Sequence, residues 1–336
     1  MQPSLRRRLG CGAGRGEVGR SAVTSAVMSV PASGPADVDE VAAALAAHDY
    51  LPDEGLATAV FLAMRLGRPL LLEGEAGVGK TELAKVLARW TGGELIRLQC
   101  YEGIDAAQAV YEWDYSRQLL HLRAAEAAGT ARGESVTALE AELYSERFLV
   151  KRPILRAVAG REGPAPILLI DEVDRADDEF EAFLLEVLSD YQVTVPELGT
   201  FRAERPPLAI LTSNRTRDVH DALKRRCLYH WVEHPDFERE VAIVRLRVPA
   251  AGERLAREVA AAVEAMRSMG LYKPPGVAET IDWATSLALL GRAQLDEASV
   301  SATLGTVLKY REDADRVRSS GLPALIRQAY DRSGTS

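Results

Sequence analysis

The sequence predicts an α/β protein with a parallel sheet, followed by an all-helical C-terminal part. Three observations support this fold class. The apolar run 70–72 breaks into a glycine loop and then into an amphipathic helical pattern at 82–90, as a buried strand followed by a helix would. The apolar run 166–170 has no polar alternation, which indicates a strand covered on both faces. From Asp236 onward only helical periodicity remains.

Composition limits the classes of protein to consider. The chain has 336 residues, 47% hydrophobic and 27% charged, as in soluble globular proteins with one large domain or two ordinary ones. A formal net charge of −8 gives no overall attraction to nucleic acid or anionic membranes. No apolar run approaches the length of a transmembrane helix. The three cysteines form no C-x-x-C pair, so neither a zinc site nor a disulfide framework is expected, and a reducing cytoplasm fits.

The first 36 residues differ from the rest of the chain. They are rich in Arg and Gly at first, then small, polar and Pro-containing, without sustained periodicity. We expect a disordered N-terminal tail over 1–36, or an upstream extension with the functional start near Met28. We interpret the arginine cluster at 6–8 as part of this tail and not as a nucleic-acid-binding arm.

Two helices are predicted before the first strand. One covers 37–47 with Asp37 as its N-cap, and the second covers 53–66. Tyr50 and Leu51 lie between them, where they either line a base pocket or act as hinge and core contacts.

The glycine loop follows the pattern G-x-x-x-x-G-K-T over residues 74–81. At such a loop, backbone N–H groups and the positive end of a helix dipole point to one place, where a phosphate can sit. Lys80 can reach the β and γ phosphates, and the Thr81 hydroxyl can ligate Mg²⁺. The predicted phosphate-binding residues are Gly74, Glu75, Ala76, Gly77, Val78, Gly79, Lys80, Thr81 and Glu82.

The segment after this helix is too long for a simple crossover. The predicted elements are a strand at 94–100 and helices at 119–128 and 135–148. The whole insertion, 101–149, is of the kind that often contacts a substrate or a central pore. Trp113 and Tyr115 are either such contacts or part of the core.

Two acids follow the apolar strand at 166–170. Asp171 and Glu172 would lie at the carboxyl edge of a parallel sheet, where ligands bind in α/β folds. We expect Asp171 to be a partner of Mg²⁺ and Glu172 to orient and polarise the attacking water. A lone Asp-Glu pair would be weak support, but its place downstream of a phosphate loop strengthens the assignment.

The next segment supplies the remaining elements of the α/β part. These are a helix at 177–188, hairpin strands at 191–195 and 200–203, a strand at 208–214, a helix at 221–226 and a strand at 227–232. Asn214 either hydrogen-bonds the attacking water or the γ-phosphate, or simply forms a turn. Arg225 and Arg226 precede the last strand, where an arginine can meet a neighbouring subunit's nucleotide. Three histidines lack a cysteine at ligand spacing and are interpreted as solvated or structural: His220, His230 and His234.

The C-terminal part is predicted to be a bundle of helices. They cover 237–247, 253–269, 278–290, 297–310 and 323–332. We therefore expect an α/β nucleotide-binding domain over 37–235 and a helical lid domain over 236–336, with a hinge at 249–252.

From Asp53 to the end of the chain, these motifs resemble the AAA+ ATPases and, within them, the MoxR branch. Residues 74–81 resemble the Walker A motif, and 170–176 resemble the Walker B motif. Asn214 is similar to sensor 1, and 191–207 to the presensor hairpin.

The segment 222–227 is similar to the arginine-finger segment of that family, with Arg226 the better match and Arg225 the alternative. The resemblance implies a three-layer αβα sandwich with sheet order 5-1-4-3-2 and a helical lid. It also implies a homo-oligomeric ring, expected to be a hexamer, with ATP and Mg²⁺ bound between subunits.

Within that branch, the stretch 225–231 and the turn 273–276 are most similar to the CoxD-like members. The resemblance implies a client metalloenzyme, the molybdenum-containing carbon monoxide dehydrogenase, and a von Willebrand A-domain partner. The sequence departs from the family at Ala278, where a sensor 2 arginine is expected. Lys273 or Arg292 would have to serve instead.

Three functions compete on these grounds. The first is an ATP-hydrolysing chaperone that remodels a client or assists maturation of its metal centre. The second is a DNA-acting motor, which the acidic charge and the missing DNA-binding motif disfavour. The third is a nucleotide-dependent switch that scarcely hydrolyses, which an intact Glu172 disfavours. The first is predicted because the sequence holds a complete set of motif residues: Lys80, Thr81, Asp171, Glu172, Asn214 and Arg226.

Overall fold

The computed structural model describes residues 34–128, 136–160 and 162–334. The strands are β1 Leu70–Glu73, β2 Leu95–Gln99, β3 Tyr111–Trp113, β4 Leu149–Lys151, β5 Ile167–Asp171, β6 Gln192–Val195, β7 Gly199–Arg202, β8 Leu208–Ser213 and β9 Leu228–Trp231. The helices are α1 Val38–Ala47, α2 Glu54–Leu66, α3 Lys80–Thr91, α4 Ala106–Val110, α5 Tyr115–Ala128, α6 Val136–Leu143, α7 Pro153–Val158, α8 Asp178–Asp190, α9 Asp221–Arg226, α10 Phe237–Arg247, α11 Gly252–Arg267, α12 Val277–Leu289, α13 Glu297–Val307, α14 Arg311–Ser320 and α15 Leu322–Ser333. The predictions for the arginine cluster at 6–8, for Met28 and for most of the tail concern residues outside these ranges.

Five parallel strands form the central sheet in the order β2-β5-β8-β1-β9. When these five strands are numbered one to five in chain order, the sheet is 2-3-4-1-5, which from the opposite edge is 5-1-4-3-2. The predicted strand order is therefore confirmed. All five carboxyl ends lie at one edge, so the glycine loop after β1 lies between the ends of β8 and β9.

Helices cover both faces of this sheet, which confirms the three-layer prediction. Side chains alternate along β1: Leu70 and Leu72 pack with α1, α2 and α3, whereas Leu71 packs with α4, α7 and α8. Because both faces are covered, β1, β5 and most of β8 are buried along their length.

Two small antiparallel sheets lie outside the central sheet. The predicted hairpin is confirmed as β6 paired with β7. The sheet formed by β3 and β4 was not predicted, and the helix expected over 135–148 is wrong at its end. α6 stops at Leu143, and the chain becomes extended at Ser145 (φ −90°, ψ 164°). This turn buries Phe148 against the insertion and aligns Leu149 with Trp113.

Helices α10 to α15 build a second hydrophobic core. α11 is central to it and packs against α10, α12 and α15. The helix expected over 297–310 ends at Val307, and a further helix, α14, follows it. α14 was missed because it buries little besides Asp313 and Val317, so its sequence shows no apolar stripe. In the described part of the chain, no helix is both long and apolar enough to cross a bilayer.

Candidate nucleotide-binding site

The glycine loop adopts backbone conformations that side chains disfavour. Gly74, Gly77 and Gly79 have φ values of 155°, 79° and 98°. A Cβ on Gly74 would also lie 2.4 Å from the carbonyl oxygen of Val232. Gly79 is the N-cap of α3 and makes no side-chain capping bond. The first N–H groups of the helix are therefore available to an anion, as the phosphate prediction requires.

Lys80 is held inside this loop. Its Nζ donates to the carbonyl oxygens of Gly74 and Glu75, both at 2.7 Å. Burial lowers the pKa of Lys80 to about 8, and the charges of Asp174 and Asp171 oppose that shift. The ammonium group is thus largely stripped of water and faces the place where phosphate would bind.

Asp171 lies beside the loop at the end of β5. Its Oδ1 accepts hydrogen bonds from Thr81 Oγ1 at 3.0 Å and from Thr212 Oγ1 at 2.5 Å. Its Oδ2 accepts one from Arg97 Nη2 at 2.6 Å. The structure therefore brings together Thr81 and Asp171, the two predicted Mg²⁺ partners. One or two protein oxygens are what Mg²⁺ uses beside phosphates and water, so these residues fit a magnesium nucleotide.

Glu172 adopts a left-handed backbone conformation, with φ 55° and ψ 52°. Its N–H donates to Thr212 Oγ1 at 2.9 Å, and its Oε2 accepts from Arg175 Nη1 at 3.2 Å. A left-handed glutamate is costly and persists where surrounding contacts impose it, often at functional sites. The turn lifts the carboxylate out of β5 toward the cavity.

A cavity of about 380 Å³ joins these groups. This volume is within the usual range for small-molecule sites. Lys80, Thr81, Asp171, Glu172 and Asn214 all line it. Tyr50 and Leu51 line it as well. The sequence left open whether these two residues line a base pocket or act as hinge and core contacts.

The helical part covers the same cavity from α10 and α12. Ile243, Arg247 and Ile281 line it from that side, as does Arg239, whose Nη2 donates to the Leu51 carbonyl at 2.7 Å. Sequence reasoning missed Arg239 and Arg247. The three residues Arg239, Ile243 and Arg247 are four positions apart and therefore lie on one face of α10. This spacing could have indicated that they line the same surface.

Ala278 contacts the loop through its backbone, where the resemblance led us to expect an arginine side chain. The Ala278 N–H donates to the Gly77 carbonyl at 3.1 Å. Neither Lys273 nor Arg292 lines the cavity, and Arg292 lies 3.6 Å from Asp296. Thus neither proposed substitute for sensor 2 reaches the candidate site.

Arg225 and Arg226 lie apart from the cavity, exposed at the end of α9. Their backbone carbonyls accept hydrogen bonds from Arg68 Nη2 at 2.9 and 3.0 Å. The side chains form no ion pair with any residue of the described ranges. They remain predicted finger residues, available to a neighbouring molecule.

The three histidines make local contacts. The ring of His220 accepts from the Ala222 N–H and caps α9, while His230 and His234 lie 3.5 and 3.2 Å from Asp53 and Glu75. Across residues 34–128, 136–160 and 162–334, no group of three or more His, Cys, Asp or Glu side chains could hold a metal ion by itself.

The sheet order, the glycine loop and the acidic strand end define a P-loop α/β fold of the AAA type. Consistent with this, the family model described as AAA domain (dynein-related subfamily) matches residues 69–227. The matched segment runs from the start of β1 to the end of α9 and is a little under half of the chain. No curated protein matches the chain.

Several solved structures are similar to the chain at low identity. A protein of Cytophaga hutchinsonii, provisionally described as an ATPase, is 14% identical, with 88% of this chain and 93% of that chain covered and a TM-score of 0.44. A mutant of Thermotoga maritima RuvB is 16% identical, with 83% and 74% covered and a TM-score of 0.45. Another RuvB mutant from the same organism is 14% identical, with 89% of both chains covered and a TM-score of 0.45.

Proposed function

We propose that this protein binds ATP with Mg²⁺ and hydrolyses the phosphoanhydride bond between the β and γ phosphates. The observation that carries the proposal is one cavity that five predicted side chains line. Lys80 and Thr81 line it from the start of α3, Asp171 and Glu172 from the end of β5 and the turn after it, and Asn214 from the loop after β8. Hydrolysis of a phosphoanhydride asks a protein mainly for positioning and for stabilisation of negative charge. These five side chains supply both.

Each of the five has a role that follows from its position. Lys80 exchanges its two carbonyl partners for phosphate oxygens, and Thr81 with Asp171 would hold the magnesium ion. A magnesium ion held there would neutralise charge on the phosphates. Glu172 accepts a hydrogen bond from water and orients it toward the γ-phosphate, and Asn214 holds the same water or a γ-oxygen.

The apolar side of the cavity supports a base pocket. Leu51, Ile243 and Ile281 provide apolar walls, and Tyr50 adds an aromatic ring. Burial raises the pKa of the Tyr50 phenol, so this ring stays neutral. Apolar walls and an uncharged aromatic ring next to a phosphate loop suit a purine base, and Arg239 and Arg247 line the same side.

We further propose that the active form is a ring, expected to be a hexamer, in which Arg226 or Arg225 completes the neighbour's site. Their exposure and their lack of an ion pair with any described residue support this role. An arginine supplied by a neighbour stabilises transition-state charge without occupying the subunit's own cavity.

We also propose that the protein is a MoxR-type chaperone that remodels a client protein, and this proposal rests on the resemblance. The expected partner is a von Willebrand A-domain protein, and the expected client is a metalloenzyme such as molybdenum-containing carbon monoxide dehydrogenase. Exposed apolar side chains on the insertion, Tyr115, Leu119 and Leu120 on α5, support a surface that contacts other proteins. A pull-down with the Glu172→Gln protein in the presence of ATP tests it, because a trapped client should be retained only with nucleotide.

Replacing Glu172 tests the hydrolysis proposal. Glu172→Gln should keep ATP affinity within about threefold and lower phosphate release by about a hundredfold or more, because the amide cannot polarise water. Phosphate release and equilibrium ATP binding are the measurements. The matched control is Glu179→Gln, an exposed carboxylate on α8, which should change neither. Full turnover in Glu172→Gln would contradict the proposal, and a wild-type protein that binds ATP without hydrolysing it would favour a nucleotide-dependent switch.

A further inference from the structure

Glu73 is a buried carboxylate that the proposed reaction does not use. It ends β1, directly before Gly74, and is only 3% exposed. Tyr229 Oη donates to its Oε2 at 3.0 Å, and Ser213 Oγ donates to its Oε1 at 3.3 Å. Lys224 Nζ lies 4.0 Å from Oε1. One side chain thus connects the start of the glycine loop with β8, β9 and α9.

The contact with β8 reaches the loop that contains Asn214. Ser213 Oγ donates to Glu73 and accepts a hydrogen bond from the Arg215 N–H at 3.1 Å. A hydroxyl group has one proton to donate, and here that hydrogen bond goes to the carboxylate. The lone pairs of the Ser213 oxygen can therefore accept the hydrogen bond from the Arg215 N–H. Arg215 has a positive φ of 56°, which this bond helps to hold. Asn214 lies between the two bonded residues, so its orientation depends on Glu73.

The contact with α9 reaches the predicted finger residues. Lys224 directly precedes Arg225 and Arg226 on this helix of six residues. A helix this short has little stability of its own, so its position depends on contacts with the rest of the fold. Lys224 is 29% exposed and faces a buried carboxylate that needs a cation nearby.

We propose that Glu73 is a positioning residue that couples the glycine loop to both the Asn214 loop and helix α9. This inference rests on the proposed ATP hydrolysis and adds how one subunit links its own phosphate site to the arginines it offers its neighbour. A displacement of the loop on phosphate binding is transmitted through the Glu73 carboxylate to Ser213 and Lys224. Glu73 itself touches no reacting atom.

Steady-state kinetics of the full chain provide the first test. Glu73→Gln keeps an oxygen acceptor and the side-chain volume but removes the charge that holds Lys224. It should lower kcat by about tenfold while KM for ATP changes by less than about threefold, because binding residues stay in place. Lys224→Met should have the same effect, and the double variant should be no worse than either single one, as expected for one interaction.

The matched control is Glu258→Gln. Glu258 is fully buried in the helical part, where it accepts hydrogen bonds from Arg254 Nε and the Leu295 N–H. Its loss should lower thermal stability and leave kcat per folded molecule unchanged. An equal fall in kcat for both variants, or no fall for Glu73→Gln, would overturn the inference.

Hydrogen exchange of the nucleotide-free protein provides a second test that needs no hydrolysis. In Glu73→Gln, exchange should accelerate at the Arg215 N–H and over 221–227, whereas β2 at 95–99 should stay as protected as in the wild type. Unchanged exchange over both segments would overturn the coupling. If the wild type fails to hydrolyse ATP but these exchange changes occur, the proposed function fails and the coupling stands.

Discussion

At the scale of single residues, the state of Lys80 determines what the loop can bind. Its ammonium group is held by two loop carbonyls, and burial lowers its pKa to about 8. A triphosphate favours the protonated form, so nucleotide binding and proton uptake are linked near this pH.

ATP affinity should therefore fall as the pH rises. Above about pH 8 the free protein must first protonate Lys80, which costs up to about tenfold in Kd per pH unit. Isothermal titration calorimetry at pH 7, 8 and 9, in buffers of different ionisation enthalpy, measures both the Kd and the proton uptake. In Lys80→Arg the guanidinium stays charged, so the pH dependence should disappear even if affinity is lower. A wild-type Kd that is constant from pH 7 to 9 would contradict this prediction.

The same linkage has a defined sign for stability. The folded-state pKa of Lys80, about 8, is below its ordinary value of 10.5, so between these values the unfolded chain binds the extra proton. The contribution of this group to the stability of the nucleotide-free protein therefore increases as the pH rises from about 8 to 10.5.

Sequence patterns predicted the loop and acidic residues that line the cavity and missed the partners that lie on neighbouring strands. The loop and the Asp171-Glu172 pair are local patterns with fixed spacing. Arg97 holds Asp171 from the neighbouring strand, and Glu73 contacts Ser213 and Tyr229 on the two strands beside β1. Only the strand order and register make these residues adjacent. No local pattern distinguishes Arg97 from any other arginine on an edge strand, so such partners could not be predicted.

At the scale of elements, the start of α12 lies directly on the glycine loop. A side chain at Gly276 would clash with the loop, because its Cβ would lie 2.7 Å from the Ala76 carbonyl oxygen and 2.9 Å from Gly77 Cα. Arg267 donates to the Pro275 carbonyl at 2.8 Å and pairs with buried Glu240, which fixes this turn. The helical part thus contacts the loop through backbone atoms.

Gly276→Ala should weaken this contact. The added methyl group forces α12 away from the loop and should lower ATP affinity and turnover by about tenfold each. ATP binding and phosphate release measure the effect. Gly305→Ala is the control, because Gly305 lies within α13 with nothing near its absent Cβ, and alanine there should be neutral or stabilising. Normal affinity and turnover in Gly276→Ala would show that close contact with the loop is not required.

Elements with strong periodicity were predicted well, and elements set by tertiary contacts were not. α2, α10 and the buried strands have apolar patterns that fix their type. β3 and β4 have three residues each and are strands because they pair with each other. Segments this short have no period of their own, so no strand was predicted at either place, and the helix expected over 135–148 was continued up to the start of β4.

At the scale of the whole molecule, the site is expected to be finished by a second copy. The described chain places five of the six motif residues around one cavity and leaves the sixth, Arg226, on the outside. Whether a site works then depends on which two subunits meet, and mixing experiments can measure this.

Two inactive variants should restore activity when they are mixed. Lys80→Ala cannot bind phosphate but still offers Arg226, whereas Arg226→Ala has an intact cavity. In an equal mixture about a quarter of the interfaces are complete, so phosphate release should recover to about that fraction of the wild-type rate. Repeating the experiment with Arg225→Ala identifies which arginine is required.

The matched control for this mixture is Lys80→Ala with Glu172→Gln. Both changes damage the subunit's own cavity, so no interface in that mixture is complete and it should stay inactive. Recovery in this control, or none in the Arg226→Ala mixture while the variants still assemble by light scattering, would contradict a neighbour-supplied arginine.

The left-handed backbone at Glu172 has a consequence for how this chain can change over generations. Glycine or asparagine would occupy that conformation more comfortably, since a larger side chain costs about 1 kcal/mol or more there. Selection for thermal stability alone would therefore tend to replace the glutamate and give a more stable protein without the proposed catalytic carboxylate. On the proposed function, selection for hydrolysis would keep the glutamate at this position, and selection for stability would not.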